Sequence, residues 1–144
     1  YCTGYIISYG GCPVIWASKL QTEVVLSSTE SEYVGLSESL CVATVMMNLL
    51  NKMKAFSIPI LKTTPTVFCK LFKDNAVAIH LAKVPKMRPR TRHINKKYHH
   101  FREWVKSGLI NVLPIDTLEQ PADLLTNPLD LASFVKFCNA IMGW

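Results

Sequence analysis

The stretch SSTESEYVGLSESLCVATVMMNLL (residues 27–50) decides how this sequence is expected to fold. Ser27 is followed three residues later by Glu30, a pattern typical of a helix N-terminus. Apolar side chains then recur at the spacing of one helix face, at Tyr33, Leu36, Leu40, Ala43, Met47 and Leu50. We therefore predict one long helix that packs its apolar face against the rest of the protein.

The residues before this helix predict a β-hairpin. Residues 4–9 (GYIISY) and 14–17 (VIWA) favour two strands, and Gly10-Gly11 between them is typical of a tight turn. The short segment 22–26 contains the β-branched residues Val24 and Val25, so it is expected to extend the hairpin into an antiparallel meander.

The residues after the helix alternate between strands and short helices. Strands are predicted at 67–72 and 110–113, helices at 75–82, 94–105 and 131–142, a helical turn at 121–125, and loops at 57–66 and around Pro85 and Pro89. Strands that lead into helices after an opening hairpin favour a mixed sheet with helices packed on it. We expect an α/β fold with a single domain over residues 1–144.

Length and composition are those of one globular domain, with 144 residues, 49% hydrophobic and 18% charged. They exclude a disordered tail and a collagen-like rod. The five cysteines are odd in number and far apart, which predicts reduced, mostly buried thiols in an intracellular protein. The apolar residues 41–50 fall short of the ~18 residues of a membrane span. The chain starts with Tyr1 inside a predicted strand, so we expect a piece of a longer polypeptide.

Positive charge is concentrated in one segment. The whole chain has a formal net charge of +6. Residues 83–106 contain a single acid, Glu103, and nine bases: Lys83, Lys86, Arg88, Arg90, Arg92, Lys96, Lys97, Arg102 and Lys106. A basic segment on a slightly acidic body indicates an anionic partner such as a nucleic acid, although a solvated charged helix explains the same pattern.

Three acids lie at the ends of predicted elements, where a fold can bring distant carboxylates together. Glu32 falls in the first turn of the long helix, Asp74 ends an apolar strand, and Asp123 begins a helical turn. Clustered carboxylates are the ligands that Mg²⁺ prefers. Each also has a structural explanation: a capping box with Thr29 for Glu32, an Asx turn or N-cap for Asp74, and the helix dipole for Asp123.

Seven sequence runs come in the order seen in one protein family. They are TGYI (3–6), WASK (16–19), LSSTESEY (26–33), KDNAVAI (73–79), RPRTRHIN (88–95), YHHFR (98–102) and EQPADLLT (119–126). Together they resemble the ribonuclease H domain at the C-terminal end of copia-type retrotransposon polyproteins, over nearly the whole chain.

The resemblance implies an activity and a set of site residues. Members of the family cut the RNA strand of RNA–DNA hybrids during reverse transcription with two Mg²⁺ ions, for which Mn²⁺ can substitute, and need no small-molecule cofactor. Of the family's four acids, the second matches Glu32, the third Asp74 and the fourth Asp123, which makes these three the expected catalytic and metal-binding residues. Glu30 competes with Glu32, but the run EYVGL (32–36) favours Glu32.

The same resemblance implies partners and a location. The expected partners are the RNA–DNA hybrid and the reverse transcriptase domain of the same polyprotein, with no membrane. Residues expected to contact the nucleic acid are Asn75, Lys86, Arg88, Arg90, Arg92, His93, Lys96, Lys97 and His100. The implied location is intracellular, in cytoplasmic virus-like particles and in the nucleus.

The chain departs from the family pattern in several places. The family's first aspartate lies on a strand upstream of TGYI, so we expect a ribonuclease H-like mixed sheet that lacks its first, central strand and is truncated at the N-terminus. Lys73 stands where related elements often carry an acid, and Asn127 replaces a usual lysine. One other interpretation stays open, a nucleic-acid-binding or structural domain without catalysis. An integrase or transposase of related fold is disfavoured, because the flanking motifs match the ribonuclease branch.

Overall fold

A computed structural model describes residues 1–22, 25, 27–56, 67–83 and 101–143 of the chain, with the side chain of Leu81 left out. Strands and helices alternate along these residues. They are β1 (Cys2–Tyr9), β2 (Cys12–Leu20), α1 (Ser28–Ala55), β3 (Cys69–Lys73), α2 (Ala76–Lys83), α3 (Arg102–Lys106), β4 (Ile110–Pro114), the 3₁₀ helices η1 (Thr117–Glu119) and η2 (Pro121–Leu125), and α4 (Leu131–Met142).

The first two strands form the predicted hairpin. β1 and β2 pair antiparallel, with Tyr9 opposite Cys12. Gly10 and Gly11 make the turn with φ of 60° and 84°. Only glycine adopts such positive φ angles without a steric cost, so the Gly10-Gly11 pair fixes the hairpin in the sequence.

The other two strands pair in parallel. Cys69 lies opposite Ile110, and Lys73, at the end of β3, lies opposite Pro114. Parallel strands need a crossover connection, and the chain between β3 and β4 contains α2 and α3. The pairing brings the C-terminal ends of β3 and β4 to one side of the molecule.

The two pairs are separate sheets in the part of the chain that the structure describes. The mixed α/β class is therefore confirmed, whereas the single mixed sheet expected from the sequence is not what the described residues form. The physical reason is that no described strand lies between β1 and β3, so the antiparallel pair and the parallel pair share no hydrogen-bonded ladder. A complete ribonuclease H-like sheet stays a prediction.

Helix α1 is the centre of the core. Ser27 is its N-cap, and the Ser27 hydroxyl accepts a hydrogen bond from the Glu30 backbone N–H at 3.2 Å. Its apolar face packs against α2, β4 and Phe101, and the Phe101 ring lies 6.0 Å from that of Tyr33. The buried residues of this cluster are Tyr33, Val34, Leu36, Leu40, Met47, Leu50, Val67, Ile79, Ala82, Phe101, Ile110 and Val112.

Helix α1 is longer than the apolar stretch at residues 41–50, which by itself is too short for a membrane span. The helix has 28 residues and, by length and composition alone, is long and apolar enough to cross a membrane. A core helix passes the same test, and nine residues of α1, between Ser31 and Leu50, are buried within the protein. The test is therefore weak evidence for a membrane span.

The cysteines are free, as predicted, but they are not mostly buried. Cys2, Cys12 and Cys41 are exposed, and Cys69 and Cys138 are half-buried. The hairpin places Cys2 and Cys12 at the surface, and Cys41 lies on the outer face of α1. Several other predictions lie outside the described residues: most of the meander strand over 22–26, the loop over 57–66, and the basic loop and helix start over 84–100.

Candidate functional site

The three acids singled out in the sequence lie around one cavity. Glu32 comes from the first turn of α1, Asp74 directly follows β3, and Asp123 lies in η2. All three line a cavity of about 1040 Å³ between β1 and β3. Segments up to 91 residues apart in sequence thus converge, which none of the three local explanations for the acids requires.

A lysine occupies the middle of this cluster. The Lys73 ammonium, at the end of β3, forms ion pairs with the Glu32 and Asp74 carboxylates, the latter at 2.8 Å. The Lys73 side chain is only 17% exposed. Burial alone lowers the pKa of this ammonium, but the hydrogen bonds to Asp74 and Glu32 and their charges outweigh burial, so the pKa is raised. Lys73 therefore stays protonated.

Asp123 feels the charges of the same cluster. Burial raises the pKa of its carboxyl, and the nearby carboxylates of Asp74 and Glu32 raise it further, against the opposing effect of the Lys73 ammonium. The negative charges are thus close enough to repel one another, and a single ammonium does not cancel the repulsion.

The local explanations for the first two acids are wrong. The N-cap of α1 is Ser27 rather than Thr29, so Glu32 is not the acid of a capping box. At α2, the Asn75 side-chain oxygen accepts from the backbone N–H groups of Val77 and Ala78, both at 3.0 Å, and so caps the helix in place of Asp74. Glu32 and Asp74 are left to pair with Lys73.

The donor set fits a cation in chemistry but is arranged around the lysine. Carboxylate oxygens are the ligands that Mg²⁺ prefers, and the cluster already holds one positive charge. Among the described residues, however, no three His, Cys, Asp or Glu side chains lie close enough to bind one metal ion. The Lys73 ammonium lies between Glu32 and Asp74 and pairs with both carboxylates.

A buried polar network positions the first turn of α1. The Gln21 amide nitrogen donates to the Thr3 hydroxyl and to the Ser31 carbonyl, both at 2.9 Å, and the Ser31 hydroxyl donates back to the Gln21 amide oxygen at 2.9 Å. Thr3 and Ser31 are buried. Because Ser31 directly precedes Glu32, the network fixes that carboxylate relative to β1.

A second set of contacts positions η2 and therefore Asp123. The buried Gln120 donates from its amide nitrogen to the Phe72 carbonyl at 3.4 Å, which ties η2 to β3. The Ser18 hydroxyl donates to the Leu125 carbonyl at 2.6 Å, which ties η2 to β2. Sequence reasoning missed Gln21 and Gln120, and the only signal for Gln120 was its place within the run EQPADLLT.

The backbones of β1 and η2 also approach closely at Gly4. A Cβ atom on Gly4 would lie 2.5 Å from the Thr126 Cγ2 and 3.1 Å from the Ala122 carbonyl oxygen. Real Cβ atoms essentially never come within 3.0 Å of another heavy atom. Glycine at this position is therefore what lets the turn that carries Asp123 lie against β1.

The cavity is lined by consecutive residues of its two bordering strands. Residues 1–11 and 67–74 all contribute to the wall. Successive side chains of a strand point to opposite faces, so a wall of consecutive residues presents the hydrogen-bonding side of each strand rather than one face. The cavity thus lies where a further strand could pair with β1 and β3.

The predicted nucleic-acid contacts are mostly outside the described residues. This holds for the residues between β3 and Phe101 on which the prediction depended: Lys86, Arg88, Arg90, Arg92, His93, Lys96, Lys97 and His100. Asn75 is described, and its side-chain oxygen caps α2. Contact of these residues with a nucleic acid stays a prediction.

These observations define the class of the protein, a mixed α/β domain with acidic side chains in the wall of a strand-lined cavity. Comparison with known proteins identifies homologues. The chain is 35% identical over 138 residues to the retrovirus-related Pol polyproteins from transposons RE1 and RE2 of Arabidopsis thaliana. It is 34% identical over 141 residues to the Pol polyprotein from transposon TNT 1-94 of Nicotiana tabacum.

The alignments cover nearly all of this chain but little of the relatives. They span 96–98% of the chain and 9–10% of each polyprotein, so the chain corresponds to about a tenth of the curated relatives it matches. No family model matches the chain. No solved structure matches it either. The homology supports a role within a retroelement Pol polyprotein.

Proposed function

We propose that the chain is the ribonuclease H segment of a retroelement Pol polyprotein, which cuts the RNA strand of RNA–DNA hybrids during reverse transcription. One observation carries the proposal. The acids selected by resemblance, Glu32, Asp74 and Asp123, come from three distant segments and line the same cavity. Like charges repel, so three acids from distant segments are expected around one cavity only where they serve a common site.

The carboxylates are the groups that would hold Mg²⁺, or Mn²⁺ in its place. Bound at such a site, the two ions would supply Lewis-acid stabilisation of the phosphate oxygens and an activated water. The chain's own part is to bring Glu32 from α1, Asp74 from the end of β3 and Asp123 from η2 to the wall of one cavity, with the Gln21 and Gln120 contacts holding α1 and η2 in position.

The cavity supports the same proposal through its shape. Residues 1–11 and 67–74 present the hydrogen-bonding sides of β1 and β3 to it. We propose that a further strand, supplied by the rest of the polyprotein, lies there and joins the two sheets. Such a strand would also bring an additional acid beside Asp74, as the resemblance implies.

We propose that the basic segment, residues 83–106, binds the RNA–DNA hybrid. Residues 83–106 carry nine bases and one acid. Contacts from lysine and arginine to phosphates are insensitive to base sequence and weaken with salt. We propose the reverse transcriptase domain of the same polyprotein as the second partner, and the cytoplasm and nucleus as the sites of action.

A second candidate function is a hybrid-binding domain without catalysis. The observation that favours it is the Lys73 ammonium between Glu32 and Asp74, which neutralises carboxylates that would have to hold the metal ions. In this case the domain would hold the hybrid beside the polymerase and leave its RNA strand intact.

The test is cleavage of an end-labelled RNA–DNA hybrid by a longer Pol segment that includes this chain and the residues preceding it. We expect Mg²⁺-dependent cutting that Asp74→Asn abolishes. The matched control is Asp116→Asn, because Asp116 is exposed and its side chain only caps η1. Salt-sensitive binding without cutting would establish the second candidate, and the absence of both binding and cutting would refute both.

A further inference from the structure

The Lys73 side chain has an unusual place in the carboxylate cluster. It donates to Asp74, the next residue in the chain, and pairs across the cavity with Glu32 of α1. Its backbone is fixed at the end of β3, because Lys73 pairs with Pro114 in the ladder and its carbonyl accepts from the Ile115 N–H at 3.1 Å. The ammonium is therefore directed to this position by the fold.

We propose that Lys73 is a built-in counter-ion that occupies the cation position of the site and weakens the binding of a divalent ion there. The inference rests on the proposed function in so far as it takes Glu32, Asp74 and Asp123 as a cation site. It adds a residue, and a form of control, to that site. Removal of the lysine charge should therefore strengthen the binding of a divalent ion by these carboxylates.

The positive charge of Lys73 and its hydrogen bonds to the carboxylate oxygens both support this role. The ammonium occupies one oxygen of each carboxylate, Oδ1 of Asp74 and Oε2 of Glu32, which leaves fewer oxygens free for any other cation. A divalent ion entering between the same carboxylates would meet a like charge at close range, which is strongly unfavourable away from bulk water. Metal binding therefore requires the lysine side chain to leave.

The cluster retains enough negative charge to make the exchange measurable. Three carboxylates surround one ammonium, and Asp123 has no hydrogen bond to Lys73 among the described contacts, although it feels the charges of all three neighbours. Among the described residues, Lys73 supplies the positive charge that offsets the repulsion at Asp123, so its removal would leave that repulsion stronger. A divalent cation is then the natural replacement.

The experiment titrates Mn²⁺ into the chain and measures free Mn²⁺ by electron paramagnetic resonance. We expect Lys73→Met to bind Mn²⁺ at least tenfold more tightly than the unchanged chain, and Mg²⁺ to compete. Addition of Asp74→Asn to Lys73→Met should remove the gain. The matched control is Lys19→Met, because Lys19 also forms an ion pair, with Glu38 at 3.7 Å, but lies outside the cavity.

Two further variants keep the test decisive. Lys73→Arg retains the positive charge and should bind Mn²⁺ as weakly as the unchanged chain. Should Lys73→Met fail to fold by near-ultraviolet circular dichroism, Lys73→Gln takes its place, because the amide can still donate to Asp74.

Two results would overturn the inference, and they separate it from the proposed function. Equal, tight Mn²⁺ binding by the unchanged chain and Lys73→Met would show that Lys73 does not compete, and would leave the nuclease proposal standing. Absence of Mn²⁺ binding in every variant would show that the carboxylates form no latent divalent site. Cleavage by the longer Pol segment then decides the nuclease proposal on its own.

Discussion

Substitution of alanine for Gly4 tests how β1 and η2 are held together. The added Cβ would lie 2.5 Å from the Thr126 Cγ2, 3.0 Å from the Leu125 Cβ and 3.1 Å from the Ala122 carbonyl oxygen. The Thr126 methyl can move, but the Ala122 carbonyl belongs to the backbone of η2 and cannot yield without moving the turn. Overpacking of this kind costs about 1–3 kcal/mol. For a chain of this size, that corresponds to a fall in Tm of about 2–12 °C.

Gly35, which has room for a Cβ atom, provides the control. Gly35 lies inside α1 and does not have a positive φ, and a Cβ there would meet its nearest neighbours, both atoms of Thr3, at 3.6 Å, an ordinary contact. Alanine favours a helix interior over glycine by about 0.5–1 kcal/mol. The same chemical change, glycine to alanine, should thus destabilise the protein at Gly4 and stabilise it at Gly35.

The assay is urea unfolding followed by circular dichroism, with a second-site variant to locate the clash. Thr126→Ser removes the Cγ2 atom, so it should recover part of the loss caused by Gly4→Ala, while the contact with the Ala122 carbonyl remains. Equal stability of Gly4→Ala and the unchanged chain would refute the close approach of β1 and η2, whereas the same loss with and without Thr126→Ser would place the clash at the Ala122 carbonyl.

Two further predictions concern the core and the last helix. Leu40→Ala should lower the free energy of unfolding by about 2–5 kcal/mol, because Leu40 is fully buried in α1. Leu49→Ala, on the exposed side of the same helix, should change the free energy of unfolding by less than about 0.5 kcal/mol. Urea titration measures both values. The Asp130 carboxylate caps the start of α4, and its hydrogen bonds with the Ser133 side chain and with the Ser133 backbone N–H lower the pKa of Asp130. Its stabilising effect is complete above the pKa of an unfolded aspartate, about 3.9, and is lost as pH falls through the folded value. The stability gap between Asp130→Ala and the unchanged chain should therefore close on acidification, whereas a gap that stays constant with pH would contradict the assignment.

Features encoded by neighbouring residues were predictable from the sequence. The Gly10-Gly11 turn, the Ser27 cap and the apolar face of α1 each depend on residues a few positions apart, and the structure confirms all three. The C-terminal helix was predicted at 131–142, and α4 spans those residues. Local sequence carries this information because turns, caps and helix faces form between near neighbours.

Features that depend on distant residues were not predictable. The parallel pairing of β3 with β4 and its separation from the hairpin are set by contacts across the whole chain. The ion pair of Lys73 with Glu32 was missed for the same reason, because Glu32 lies on another element. Gln21 and Gln120 gave no chemical signal in the sequence, since an amide is recognisable as a positioning group only when its hydrogen-bond partners are known.

The strand-lined cavity has a consequence for how the chain behaves in solution. A strand whose backbone groups lack a neighbour can template pairing with another copy, and charged side chains are the usual protection. β3 carries Lys70 and Lys73, whereas β1, with the sequence CTGYIISY, has no charged residue at all. Of the two strands that border the cavity, β1 is therefore the less protected against pairing with another copy of the chain.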